Sequence, residues 1–175
     1  MNLLLLIGLP LLTAVAVLLS GNKQQVKWIA LVGSVAQLAL AFVLFFIYKH
    51  ERETGNAAQM LFEQNYPLFK SLNINFHLGV DGISIAMILL TAFVVVAGVL
   101  VSWHIEKMTK EFYFLLLLLG MGAYGFFISL DLFILFFFLE ISVIPKYLLI
   151  GIWGSGKKEY SANKLALMLM GGSAL

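Results

Sequence analysis

Apolar residues run along this chain in long blocks, with polar residues gathered between them. Leu3 to Leu19 form a first apolar block and residues 28–48 a second. A polar stretch follows at 49–80, then apolar residues at 82–102. A spanning helix needs ~20 mostly apolar residues, so each block predicts one membrane span. The run 112–153 is too long for one. At ~1.5 Å per residue it would reach about twice a ~30 Å hydrocarbon core. It must fold back, and Ser129-Leu130-Asp131 is its only polar break. A fourth span is therefore expected at about 112–128 and a fifth at 132–153. A sixth apolar segment opens at Ala162 and still runs at Leu175. Its ~14 residues are too few to cross, so the expectation is a chain cut inside a helix. The predicted fold class is all-α. It is a polytopic transmembrane helical bundle in one domain, with about five complete spans, the start of a sixth, and 49–80 as an extracytoplasmic connection.

Composition narrows the classes further. Hydrophobic residues make up 62% of the 175 and charged residues only 11%, against roughly 25% charged in soluble domains. The chain has no cysteine. That excludes disulfides, thiolate zinc sites and iron–sulfur ligation from it. A net charge of +2 is too small and too scattered for a nucleic-acid surface. Only Met1 and Asn2 precede the first apolar block, so it lacks the basic n-region of a signal peptide and reads as a retained helix. Lys23, Lys27, Lys107, Lys110, Lys157, Lys158 and Lys164 fall in or beside odd-numbered connections; Lys49, Arg52 and Lys70 fall in even-numbered ones. This bias predicts a cytoplasmic place for the odd connections and an N-terminus outside. Met60-Leu61-Phe62 and Tyr66-Pro67 suggest that part of 49–80 lies on the outer membrane surface.

Glu140 stands out inside the nearly unbroken apolar run DLFILFFFLEISVIPKYLLIGIWG, residues 131–154. Ionised acids at mid-helix cost ~2.5–3.5 kcal/mol on insertion scales, so such a residue needs a partner, a proton or water. Nine residues from Asp131 at ~1.5 Å each place it about 14 Å deep, near the midplane of a ~30 Å core. Burial disfavours the charged form of a carboxyl, and a nearby cation favours it. Movement of a cation would therefore load or release a proton there. The competing reading is a neutral acid that only holds two helices together.

Two neighbours qualify that site. Pro145 lacks an N–H and clashes with the carbonyl of Ile141, one residue from Glu140, so it predicts a kink. Lys146 lies six residues from Glu140, a rotation of about 240°, so the two do not share a face. Lys146 is read either as a snorkelling side chain or as part of a charge relay.

The remaining polar residues read as structural. Asp81 in HLGVDGIS and Asp131 in SLDLF fit helix N-caps. Gly120, Gly122 and Gly125 fit close helix packing. Gly151 to Lys157 meets the pattern GxxxxGK, but Lys158 stands where a magnesium-binding Ser or Thr belongs and a membrane helix precedes it. It reads as a basic turn. His50, His77 and His104 are far apart in sequence, with no His–carboxylate pair joining them, and no metal site is expected.

Several segments occur together in a known order: FHLGVDGIS at 76–84, Ser102-Trp103, SLDLFILFFFLE at 129–140, IPKYLLIGIWG at 144–154 and SANKLALML at 161–169. Over about 76–170 the chain resembles the NuoM-type subunit of proton-pumping NADH:quinone oxidoreductase, respiratory complex I. The resemblance implies an antiporter-like subunit of about fourteen helices built as inverted repeats. It implies that Glu140 is the fifth-helix acid, and that its lysine partner on a seventh helix falls beyond Leu175. Members often carry an apolar residue where this chain has Lys146. Also implied is a multi-pass place in an energy-transducing membrane such as the bacterial inner membrane. The chain itself would hold no cofactor. NADH, FMN, iron–sulfur clusters and quinone would belong to partner subunits, and the partners would be other complex I membrane subunits and lipid. A subunit of an Mrp-type cation/proton antiporter complex is the alternative family reading. A scaffold membrane protein with a structural acid at Glu140 is the alternative from another class.

Overall fold

The computed structural model describes residues 2–55, 58–69 and 74–174. Lys70, counted in the charge comparison, and Leu175 lie outside the described residues. Among the described residues six helices run in sequence: α1 (Leu4–Leu19), α2 (Lys23–Glu53), α3 (Gly82–Val101), α4 (Thr109–Ile128), α5 (Leu132–Trp153) and α6 (Lys158–Ala174). A 3₁₀ turn at Ser102–His104 follows α3. The chain is a multi-pass helical membrane protein. Among the described residues four helices, α2 to α5, are long and apolar enough to cross a bilayer. The apolar α1 has 16 residues, so at ~1.5 Å each it reaches only about 24 Å of a ~30 Å core.

Asn22, Asp81 and Asp131 start their helices by accepting backbone N–H groups. Asn22 accepts from Gln24, Asp81 from Ser84 at 2.7 Å, and Asp131 from Phe133 at 2.9 Å. Each satisfies a donor that the first helical turn leaves open. At the other end of α5, the Lys158 ammonium donates to the Ile152 carbonyl at 3.1 Å. The GxxxxGK segment therefore joins two helices, with no strand before it.

Helices α1 to α4 form the centre of the bundle. Leu6, Leu44, Ile88, Tyr124 and Ile128 pack together toward one end, and Val17, Val26, Val99, Tyr113 and Leu117 toward the other. The α5 helix lies on α4, and α6 lies on α5. Glycine makes the α4–α5 approach possible. A Cβ on Gly122 would sit 3.0 Å from the Ser142 Cβ and 3.2 Å from the Phe138 carbonyl oxygen, and one on Gly125 would collide with the Phe138 ring. Gly120 meets Val95 of α3 in the same way, at 3.0 Å.

The 49–80 connection holds a two-stranded antiparallel hairpin, β1 (Leu61–Phe69) and β2 (Ile74–Val80), that the sequence pattern does not announce. Pro67 interrupts β1, and proline is tolerated in strands only at edges and bulges. Here the ladder shifts register between Pro67 and Phe69. The hairpin is stitched to the bundle. Leu130 donates its N–H to the His77 carbonyl at 2.9 Å, and Leu78 bridges Ser129.

Candidate functional site

Glu140 is the ninth residue of α5, so it lies about 12 Å along the helix from its start. It is partly buried. Its Oε1 accepts a hydrogen bond from the Ser173 hydroxyl of α6 at 2.7 Å. No ion pair reaches it among the described residues. The acid therefore sits between two helices with a neutral hydroxyl as partner. Ser173 was not singled out by the sequence. A serine beside Gly171 and Gly172 reads only as helix packing, and its pairing depends on the α5–α6 crossing.

Pro145 is buried, and α5 continues through it as one α-helix to Trp153. The Ile141 carbonyl consequently lacks the i+4 amide donor that an ordinary residue would supply. Lys146 points elsewhere. It lines a cavity of about 320 Å³ walled by α3 and α4 residues, among them Leu90, Val94, Leu116 and Gly120, together with Ser142 of its own helix. Its ammonium has no ion-pair partner among the described residues. The structure does not bring Glu140 and Lys146 together, which agrees with a 240° separation on one helix.

Two further polar features surround the bundle. The hairpin holds one contact that local sequence spacing does not announce: His77 Nε2 lies 3.4 Å from Glu63 Oε2. Pairing across β-strands brings together residues fourteen apart, which local spacing could not reveal. His50 closes α2, and His104 ends the 3₁₀ turn, so the three histidines stay separate. In the core, Gln37 donates to the Leu6 carbonyl at 3.0 Å, while its Oε1 and the Tyr124 hydroxyl have no hydrogen-bond partner among the described residues.

The first, third and fifth connections meet at one end of the bundle. Lys23 donates to the Glu106 carbonyl at 3.2 Å, Lys110 to Leu18 at 3.3 Å and the Trp153 indole to Lys107 at 2.8 Å. Glu140 thus lies in a helix whose two ends are both held by contacts from other loops.

No protein-family model matches the chain. Curated relatives do. The chain is 32% identical over 170 residues to NAD(P)H-quinone oxidoreductase chain 4 from the chloroplast of Adiantum capillus-veneris, which covers 96% of this chain and 33% of that protein. It is 35% identical over 163 residues to NADH-quinone oxidoreductase subunit M of Buchnera aphidicola, covering 91% of this chain and 32% of that protein. The chain therefore spans about a third of the length of the curated relatives it matches. Among solved structures, it superposes on a chain of respiratory complex I from Thermus thermophilus with a TM-score of 0.80 at 22% identity, covering 98% of this chain and 33% of that one. A chain of an archaeal membrane-bound sulfane sulfur reductase gives 0.74 at 26% identity, with 98% and 34% covered.

Proposed function

The chain belongs to the family of NAD(P)H-quinone oxidoreductase chain 4 and subunit M proteins, and on that premise we propose that it carries protons across an energy-transducing membrane, with Glu140 as the carrier. The observation that bears most weight is the placement of Glu140. It is an acid in the middle of an apolar helix, bonded to a neutral hydroxyl and, among the described residues, to no cation. Intramembrane acids that are not neutralised by a fixed partner are suited to changing charge.

The chemistry follows from electrostatics. A cation brought near Glu140 by another part of the assembly favours the carboxylate and drives the proton off. Withdrawal of that cation favours the neutral acid, which takes up a proton. Pro145 contributes by leaving the Ile141 carbonyl free, one residue away, to accept a hydrogen bond from water entering beside the carboxyl. Lys146, on the α3–α4 side, keeps its charge outside this exchange. Electron transfer is assigned to partner subunits, which would hold the NADH, FMN, iron–sulfur and quinone sites. The similar fold in a sulfane sulfur reductase complex fits that division, since one membrane module would serve different redox partners. Other membrane subunits of such an oxidoreductase would be its neighbours, with lipid on the exposed faces.

Proton translocation in sealed vesicles, normalised to assembled complex, tests the reading. Glu140→Gln preserves shape and hydrogen bonding but cannot ionise, and should lose most pumping with assembly intact. Glu140→Asp should retain part of it. A structural acid predicts the reverse order, with Gln tolerated, and pumping at the full rate in Glu140→Gln would remove Glu140 from the proton path.

A further inference from the structure

Ser173 has one hydroxyl hydrogen and two acceptors in reach. Glu140 Oε1 lies 2.7 Å from its Oγ, and the Met170 carbonyl oxygen 3.0 Å from it. One hydrogen cannot serve both fully, while the oxygen itself can accept. We infer that Ser173 is a positioning residue whose hydrogen bond reverses direction with the proton on Glu140; this rests on the reading of Glu140 as the proton carrier.

When Glu140 is ionised, its carboxylate can only accept. Ser173 then donates to Oε1 in a charge-assisted bond, the stronger kind. When a proton arrives from water and bonds to Oε1, the carboxyl acquires an O–H. That O–H donates to Ser173 Oγ, and the serine hydrogen turns to the Met170 carbonyl. One proton has been added, the charge has gone from −1 to 0, and no heavy atom needs to move. Release runs the same steps backwards. Both protonation states keep a satisfied hydrogen bond across the same 2.7 Å contact. A partner able only to donate, such as a lysine, would serve the ionised state alone.

Ser142 cannot take this role. It lies on α5 itself, donates to the Leu139 carbonyl at 2.7 Å and is buried against Gly122 of α4. A purely structural Ser173 would only tie back to Met170 within its own helix, as serines in membrane helices do.

Infrared difference spectroscopy of the assembled, membrane-embedded complex separates these roles. The C=O stretch of protonated Glu140 is identified by its disappearance in Glu140→Gln. In Ser173→Ala that band should move to higher frequency, because the carboxyl loses its hydrogen-bond acceptor, and pumping should slow roughly tenfold as the ionised state loses its donor. Ser173→Thr keeps a hydroxyl and should restore both the band and the rate. An unmoved band in Ser173→Ala overturns the inference, whether or not pumping falls. If Glu140→Gln is inactive while Ser173→Ala leaves band and rate unchanged, Ser173 alone loses its role. If Glu140→Gln pumps at the wild-type rate, the underlying reading of Glu140 falls, and the inference with it.

Discussion

Glu140 and Lys146 share one helix and face different neighbours: the acid meets Ser173 of α6, and the lysine lines the cavity against α3 and α4. A direct relay between them through α5 has no geometric support. Lys146→Met should therefore leave proton pumping within about twofold of wild type, since only a long-range charge effect remains. Vesicle translocation assays on the assembled complex check this. A loss as deep as that expected for Glu140→Gln would return Lys146 to the path.

The glycines of α4 give a stability prediction. Ala for Gly in a helix is favoured by roughly 0.5–1 kcal/mol on backbone grounds alone. Overpacking a tight interface costs typically 1–3 kcal/mol. At Gly125 the new Cβ collides with the Phe138 ring, and at Gly122 it meets the backbone of α5. The steric cost wins, so both Ala variants should unfold at lower temperature than wild type in detergent. Phe138→Leu should rescue Gly125→Ala in a double-mutant cycle and do nothing for Gly122→Ala, whose obstacle is backbone.

Asp81 supplies a pH dependence. Its carboxyl is held below its ordinary value of 3.8, first by the backbone N–H of Ser84 and opposed by partial burial. The folded-state value is depressed, so its stabilisation is complete above 3.8 and is lost as the pH falls through the lower folded value. Asp81→Ala should cost about 0.5–2 kcal/mol at neutral pH and flatten the acid limb of stability. Asp81→Asn should keep most of the neutral stability, because Asn caps helices as well as Asp, yet lose the acid dependence. Unfolding measured at pH 7 and at pH 3 compares the three proteins. An unchanged acid limb in Asp81→Asn would count against this assignment.

Orientation can be tested without background, since the chain has no cysteine. Single cysteines placed at Lys107 and Lys158 should be labelled from the cytoplasmic side, and one at Tyr66 from outside. The contacts of Lys23, Lys110 and Trp153 already put the odd connections at one end, so Lys107 and Lys158 must agree with each other. Labelling of the Lys158 position from outside would invert the topology.

The bundle was legible in the sequence because apolar blocks of bilayer length leave few other folds. Hydropathy traces the bilayer core and misses polar helix ends: α2 was expected at 28–48 and runs Lys23–Glu53, carried past the apolar block by Lys, Gln, Glu and Arg, all good helix formers. Likewise α4 and α6 start three to four residues earlier than the apolar pattern suggests. Glu140 was conspicuous because a charge in an apolar run is visible locally. Ser173, the Glu63–His77 pair and the hairpin were not, because each depends on which segments meet in space. Asp131 and Asp81 were readable as caps, since a cap acts on residues two and three places away.

The hairpin and Trp153 together make α5 a beam supported at both ends. At its start, the Leu130 and Ser129 contacts with β2 pin the turn, and at its end the Trp153 indole grips the Lys107 carbonyl. Contacts at both ends oppose sliding along the axis, so bending is the easier response to a sideways push. Bowing is greatest in mid-span and concentrates where the beam is notched. Pro145 is the notch, and Glu140 lies between it and the centre of the first half. Any bending that a moving neighbour imposes on α5 would thus fall on the stretch that carries the acid.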